Sequence, residues 1–357
     1  MAYNIENNVK KTVYSDICEV ANSNVAWDKL KNKTVFITGA GGFIGYYFVL
    51  SLLARNDLYN DGIKVIALVR NEERAKQKFG EILDREDITL CVQDVSEKIN
   101  AEKADFVIHA ASQASNIQFE TDPVGTINAN LIGTANILDH AKESGSESAS
   151  IISSLKVYGA VHNGKGSLSE EDAGYLDFTS YKNCYAVGKR ASETLAASYS
   201  KQYGMNVKIA RPSYIYGASS LNDDRVWAQF IANIVRKENI LLKSNGAPNR
   251  SFCYVTDTVT ALLFILLEGE TAVPYNISYE KSDTTIRNFA KTACEVFPER
   301  NISLSFANPE DEAEPVVSPL APTPEIMDST RLKALGWKPL VDLKEGIRRS
   351  VNTLEEE

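Results

Sequence analysis

The stretch TVFITGAGGFIGYYFVLSLLAR, residues 34–55, decides the fold. TVFIT (34–38) is a short, continuous apolar run and reads as a buried strand. A glycine turn follows at once, with Gly39, Gly42 and Gly45 at intervals of three in ITGAGGFIG. FIGYYFVLSLLAR then has the length of a helix. This order makes an anion site. The first glycine permits a tight turn, the second lets the backbone approach a pyrophosphate, and the third lets the helix close on the strand. The helix N-terminus, opening at Phe43 and Ile44, presents free N–H groups and the positive end of its dipole to the phosphates. The expectation is a dinucleotide-binding loop.

Outward from that loop the same alternation repeats. KVIALV (64–69), ITLCVQ (88–93), DFVIHA (105–110), SIISS (150–154) and VKIARP (207–212) read as further strands. NEERAKQKFGEIL, PVGTINANLIGTANILDHAK (123–142) and CYAVGKRASETLAASYSKQYG lie between them with helical spacing. Strands apolar on both faces, alternating with helices, imply a parallel sheet covered on both sides. The predicted class is α/β, a Rossmann-type doubly wound parallel sheet. Past residue 213 the alternation lapses into short pieces such as NILLK (239–243), so a smaller mixed unit is expected there. The expected division is an extension over 1–30, a cofactor domain over 31–212 and a substrate domain over 213–357, allowing one return of the chain. The extension reads as one short helix and a link packed on the main domain. Prolines 309, 315, 319, 322 and 324, beside Glu310, Asp311, Glu312 and Glu314, mark a long loop or lid. The closing residues read as two helices around the turn GWKP.

Composition bounds the function. The chain has 357 residues, 44% hydrophobic and 24% charged, enough for a sizeable core without disulfides. A formal net charge of −9 argues against a general nucleic-acid binder, while leaving room for a local basic pocket. The five cysteines, Cys18, Cys91, Cys184, Cys253 and Cys294, stand singly with no CxxC. Neither a disulfide framework nor a metal site is expected, and a reducing compartment is the simpler reading. The start MAYNIENNVKKTVY lacks the pattern of a secretory signal. ALLFILL (261–267) falls far short of the roughly 18 apolar residues that span a bilayer. A cytoplasmic protein with no membrane partner is expected.

The later strand ends add candidate cofactor contacts. Asp94 and Val95 follow the third strand, where a carboxylate can accept from an adenine amino group. Ala110, Ala111 and Ser112 follow the fourth, where small residues leave room for a cofactor. Asn130 lies on the long helix, where its amide can brace the neighbouring strand. At the end of the second strand the position that carries an acidic residue in NAD binders is Arg70. An arginine there suits a 2′-phosphate, so NAD and NADP both stay open.

Tyr185 and Lys189 form YxxxK on a helix and share one face. A free tyrosine titrates near pH ~10 and is a poor base at neutrality. A neighbouring ammonium and a positive nicotinamide ring favour the phenolate. Tyr185 can then take a proton from a sugar hydroxyl as hydride leaves, Lys189 can hold the nicotinamide ribose, and Ser154 can hydrogen-bond the same hydroxyl.

Together these residues resemble the extended short-chain dehydrogenase/reductase family, in its nucleotide-sugar epimerase/dehydratase branch. The resemblance spans about Lys31 to Asn352 and rests on TGAGGFIG (38–45), DPVGTINANLIGT (122–134), SSLKVYG (153–159), YAVGKRASE (185–193), RPSYIYG (211–217), DDRVWAQF (223–230), RSFCYVTD (250–257) and LGWKP (335–339). Within the branch, CYAVGKRASET, DDRV and RSFCYVTD look most like UDP-glucuronate decarboxylases and the related bacterial dTDP-sugar dehydratases. The resemblance implies oxidation of the sugar C4 hydroxyl with Tyr185 as base, after which the 4-ketone acidifies its neighbours. It places Pro212 beside the cofactor and Arg225 and Arg250 on the nucleotide diphosphate or sugar, with Gln113 and Lys156 on the substrate side. It also implies a homodimer built on a pair of helices per subunit, one of them bearing Tyr185.

The chain departs from the branch in two places. The dehydratases carry adjacent Asp and Glu before VYG and the decarboxylases keep the Glu, whereas this chain has Leu155 and Lys156. Dehydration needs an acid and a base near C5 and C6, which these two do not supply. Lys156 can instead pair with a substrate carboxylate. Tyr214 also stands where relatives often place asparagine. The expected activity is most simply a nucleoside-diphosphate-sugar 4-epimerase. Decarboxylation of a UDP-uronic acid is the alternative, followed by an NADPH-dependent ketosugar reductase or a dTDP-sugar 4,6-dehydratase. A non-catalytic dinucleotide-binding protein is disfavoured because Tyr185 and Lys189 are both present.

Overall fold

In the computed structural model, which describes residues 4–313 and 321–356, β1 (Thr34–Thr38) is buried at every position but its first. It pairs in parallel with β2 (Lys64–Val69) on one side and β4 (Phe106–His109) on the other, with Thr34 opposite Lys64 and Val35 opposite Phe106. β3 (Ile88–Val92), β5 (Ser148–Ile152) and β6 (Val207–Pro212) extend the sheet, and the strand Pro274–Ile277 adds a seventh member beside β6. The order is β3-β2-β1-β4-β5-β6 and then Pro274–Ile277, all parallel. This is the doubly wound Rossmann-like sheet that the strand–helix alternation implies. Its order reverses between β1 and β4, and the crevice beyond the carboxyl ends of those strands is where such sheets bind ligands.

Period-two burial fixes the register. Val35, Ile37, Val65, Ala67 and Val69 enter the apolar core on one face, while Phe36, Ile66, Leu68 and Val107 enter the core on the other. A slip of one residue would exchange the two sets. The first core is closed by α1 (Lys11–Ala21), α2 (Phe43–Tyr59), α3 (Glu72–Phe79) through Ala75 and Phe79, and later helices; a short α4 (Asn116–Thr121) follows β4. The second core is closed by α5 (Pro123–Ser144) and α6 (Cys184–Tyr203), which pack against each other. Local chemistry sets these boundaries. Asp122 caps α5 by accepting from Gly125 N at 2.9 Å, Pro123 fills its first turn, and Gly145 ends it in the left-handed conformation at φ 70°.

Beyond β6 come β7 (Tyr214–Tyr216), α7 (Val226–Arg236) and α8 (Val255–Glu268). ALLFILL lies inside α8, which is buried from Val255 to Leu267; a helix apolar all round belongs in a core. Among the described residues no helix is long and apolar enough to cross a membrane. The N-terminal extension packs onto the body through Val13, Ile17 and Val20 of α1. Its Asp16, fully buried, accepts hydrogen bonds from Tyr254 Oη at 2.7 Å and Arg349 Nη1 at 2.9 Å. Of the acidic proline run, Pro309–Glu312 forms a short 3-10 turn. Glu314, Pro315 and Pro319 lie outside the described residues.

Candidate active site

The glycine loop adopts the shape its spacing implies. Gly39 turns at φ +66°, and a side chain there would meet the Ala111 backbone nitrogen at 2.8 Å. At Gly45 a Cβ would lie 2.3 Å from the Gly39 carbonyl, so the helix can approach the turn only without one. Gly42 caps α2 with no side-chain hydrogen bond, leaving the first-turn N–H groups for a ligand. Thr38 Oγ1 contacts His109 Nδ1 at 2.8 Å and accepts from Ala111 N at 3.1 Å, stitching the ends of β1 and β4 together beside the loop. Lys78 was not anticipated in this setting. Its Nζ donates to the carbonyls of Gly41 at 3.0 Å and Gly42 at 3.3 Å.

Two cavities border Gly39 and Ser112. The larger, about 430 Å³, is lined by Gly39, Gly42, Phe43, Ile44, Gly45, Ala110 and Ser112 on the loop side. Ser154, Lys156, Tyr185, Lys189, Pro212, Arg225 and Arg250 line it from the remaining walls. The smaller, about 160 Å³, takes in Arg70, Asp94, Val95, Ala111 and Gln113. Most residues singled out from the sequence therefore converge, in the two groups expected for the two ends of a dinucleotide. The loop without side chains and the uncapped helix end fit that cofactor.

Two expectations shift. Gln113 lies in the smaller cavity, away from the substrate side, and its amide is committed: Nε2 donates to Asp122 at 3.0 Å and Oε1 accepts from Thr126 at 2.8 Å. Asn130 lines neither cavity. It is fully buried, donates to Thr126 O at 2.9 Å and accepts from Ser112 Oγ at 2.9 Å, so it braces Ser112 from behind. Arg70 stays largely exposed, its Nη1 3.9 Å from Asp94, while Asp94 also accepts from Ser96 N at 2.8 Å.

One side of the larger cavity is built on α6, where Tyr185, Lys189 and Glu193 recur at four-residue intervals. Lys189 is buried and donates to the Ile152 carbonyl at 2.6 Å. Burial pulls its pKa down to about 7, against the opposing charge of Glu193. Glu193 accepts from Ser153 Oγ at 2.5 Å and from two nitrogens of Arg211, at 2.9 and 2.7 Å. The helix is thus tied to the ends of β5 and β6. The Tyr185 ring stacks on Phe119 with centroids 5.0 Å apart, a partner no spacing pattern announced. Burial raises the Tyr185 phenol, while hydrogen bonding to Ser154 and the charge of Lys156 pull it back. Ser154 Oγ in turn accepts from the Lys156 backbone N–H at 3.2 Å.

The cavity also carries positive charge. Arg225 is held by Asp223, with Nε to Oδ1 at 2.9 Å, and lies over the rings of Trp227 and Phe43. Arg250 lies 4.5 Å over the Tyr214 ring. Lys156 Nζ donates to Tyr214 Oη at 2.8 Å and to Glu325 Oε1 at 2.5 Å, and Tyr214 Oη donates to Glu325 Oε2 at 2.7 Å. Glu325, which no sequence pattern singles out, is bonded to both of these cavity residues. It arrives from beyond the proline run, where its backbone bridges Arg250 and its carbonyl accepts from Ser251 N at 2.9 Å.

Comparison with known proteins agrees with this geometry. Residues 35–278 match the NAD dependent epimerase/dehydratase family. UDP-glucuronic acid decarboxylase 6 of Arabidopsis thaliana is 33% identical over 320 residues, 88% of this chain and 87% of that enzyme. A UDP-glucose 4-epimerase from Thermotoga maritima, solved with UDP-glucose, superposes with a TM-score of 0.71 at 22% identity, covering 90% of this chain and 98% of that one. A UDP-glucuronic acid 4-epimerase from Bacillus cereus, solved with UDP-glucuronic acid and NAD, gives 0.71 at 18% identity over 90% and 99%. With a glycine loop, a Tyr185–Lys189 helix and a family match across two-thirds of its length, the chain belongs to the NAD-dependent epimerase/dehydratase family of enzymes.

Proposed function

We infer that the enzyme oxidises the C4 hydroxyl of a nucleoside-diphosphate sugar and then returns the hydride, most simply as a 4-epimerase. One observation carries this reading: Tyr185, Ser154 and Lys189 line the same cavity as the glycine loop, together with Arg225 and Arg250. In this reading residues 31–212 serve the cofactor. Residues 213–357, apart from the strand Pro274–Ile277 that returns to the sheet, serve the nucleotide sugar.

The nicotinamide, when bound, supplies the hydride acceptor. The protein does the rest. Ser154 orients the C4 hydroxyl and Tyr185 removes its proton. Lys189 takes the nicotinamide ribose while anchoring the end of β5. Arg225 and Arg250 offer planar guanidinium groups to the diphosphate. Epimerisation asks only for this oxidation set and room for the ketosugar to turn. Pairing of two copies through α5 and α6 belongs to the same proposal; Val124, Leu131 and Ile132 of α5 are 67%, 41% and 43% exposed, an apolar edge beside α6.

A second reading, decarboxylation of a UDP-uronic acid, is supported by the 33% identical plant decarboxylase and by two cations, Lys156 and Arg250, on the substrate wall. Incubation with UDP-, dTDP-, GDP- and CDP-linked sugars, without added cofactor, separates the two. Epimerisation leaves the product mass unchanged and alters its chromatographic position, whereas decarboxylation removes carbon dioxide. No conversion of any sugar would overturn both readings.

A further inference from the structure

The two places where the sequence departs from its branch, Lys156 and Tyr214, meet in space. Lys156 Nζ donates to Tyr214 Oη at 2.8 Å, so the cavity that Tyr185 and Lys189 line also holds a second tyrosine–lysine pair. The second pair has a partner the first lacks, because Glu325 accepts from both Lys156 and Tyr214, at 2.5 and 2.7 Å. Arg250 covers the Tyr214 ring at 4.5 Å. The three polar groups close a hydrogen-bonded triangle in which the phenol already points its proton at a carboxylate.

We propose that Tyr214, backed by Glu325 and Lys156, is a second acid–base group of this enzyme, acting on the ring carbon next to the C4 carbonyl of a nucleoside-diphosphate 4-ketosugar. The proposal rests on the C4-oxidising reading above. Tyr214 takes the hydrogen of that carbon as a proton while its own phenolic proton passes to Glu325. The electron pair of the broken C–H bond moves into the C–C bond, and the charge comes to rest on the C4 oxygen as an enolate, within reach of Ser154. Return of a proton from Glu325 through Tyr214 restores the ketone. No oxidant or reductant is consumed. The Lys156 ammonium steadies the phenol as it loses its proton.

The charge states suit these roles. Burial would raise Glu325, but Lys156, Tyr214 and Arg250 outweigh it and hold the carboxyl below its ordinary value, so Glu325 starts ionised and accepts the hydrogen bond of the phenol. Burial raises Tyr214, and Lys156 pulls it back. Burial would lower Lys156, yet Tyr214 and Glu325 keep it raised and charged. The Glu325 side chain retains 32% exposure, so an acquired proton can exchange with water. The arrangement gives the enzyme hydrogen exchange, and with it access to inversion, at a carbon other than C4.

The test uses a preformed ketone, so it does not depend on the hydride step. The holoenzyme, with its cofactor oxidised, is incubated in D2O with UDP- and dTDP-linked 4-keto-6-deoxyglucose, and deuterium in the recovered sugar is read by mass spectrometry and NMR. The wild-type protein is expected to place deuterium beside the carbonyl faster than buffer alone. Tyr214→Phe should slow this about a hundredfold and Glu325→Gln about tenfold, while Lys156→Arg keeps most of the rate. If Tyr214→Phe does not fold, as judged by cofactor binding and melting temperature, Glu325→Gln carries the test. Wild-type exchange no faster than buffer with either sugar, or exchange at the wild-type rate in the folded variants, would overturn the proposal. Exchange without turnover of any 4-hydroxy sugar would refute only the C4-oxidising reading, and turnover without exchange only this one.

Discussion

Lys189 donates a 2.6 Å hydrogen bond to the carbonyl of Ile152, two residues before Ser154. The lysine proposed to hold the cofactor therefore also grips the strand end that carries the serine. This double duty separates its variants from those of Tyr185. Tyr185→Phe should lower turnover about a thousandfold, within the range for loss of a general base, and leave cofactor affinity unchanged. Lys189→Met should lower both. Turnover by stopped assays and cofactor binding by calorimetry check the pair; equal effects on binding would remove the distinction.

Gly45→Ala should damage the cofactor site without touching the chemistry directly. Its Cβ would lie 2.3 Å from a backbone carbonyl, so the start of α2 must move. A displacement costing more than about 1.4 kcal/mol corresponds to at least a tenfold loss of cofactor affinity. Fluorescence titration with NADH measures it, and wild-type affinity would show that the loop tolerates a wider turn.

Arg70 is exposed and its ion pair with Asp94 is long, at 3.9 Å, so its guanidinium can turn toward a 2′-phosphate. A charge-assisted hydrogen bond is worth roughly 1.5–3 kcal/mol. Arg70→Asp should therefore weaken NADP about ten- to a hundredfold and spare NAD. Unchanged dissociation constants for both cofactors would remove Arg70 from cofactor choice.

Asp16 couples the N-terminal helix to pH. Burial raises its pKa from the ordinary 3.8 to about 6, against the pull of Tyr254 and Arg349. The folded state therefore keeps a proton that the unfolded chain releases, and stability falls as pH rises from about 4 to 6. Asp16→Asn should flatten that segment of the stability curve by roughly 2–3 kcal/mol. Urea melts at several pH values between those limits test the sign; an unchanged slope would contradict it.

Much of this was legible in the chain because local rules carried it. TVFIT, KVIALV and VKIARP became strands with the bounds read from the sequence, since continuous apolar runs between turn residues have few other places to go. The glycine spacing, with its correct flanks, located the loop, and the four-residue spacing of Tyr185 and Lys189 located the face of α6 that lines the larger cavity. Glu325 stayed hidden for the opposite reason. It lies 169 residues from Lys156, and only the pairing of its backbone with Arg250 brings its carboxylate to the site. Non-local pairing leaves no periodic signal. Phe119 and Lys78 were missed likewise, each reaching the site from a different element. Gln113 was assigned to the sugar side, but Asp122 and Thr126 hold its amide toward the smaller cavity.

The central claim is that hydride leaves C4 as Tyr185 takes the hydroxyl proton. The most direct measurement uses the sugar from the nucleotide panel that turns over, deuterated at C4, in a single turnover quenched with acid. The label is predicted on the nicotinamide in the wild-type protein, and not in Tyr185→Phe. Label recovered in the water, or equal transfer in the two proteins, would contradict the account.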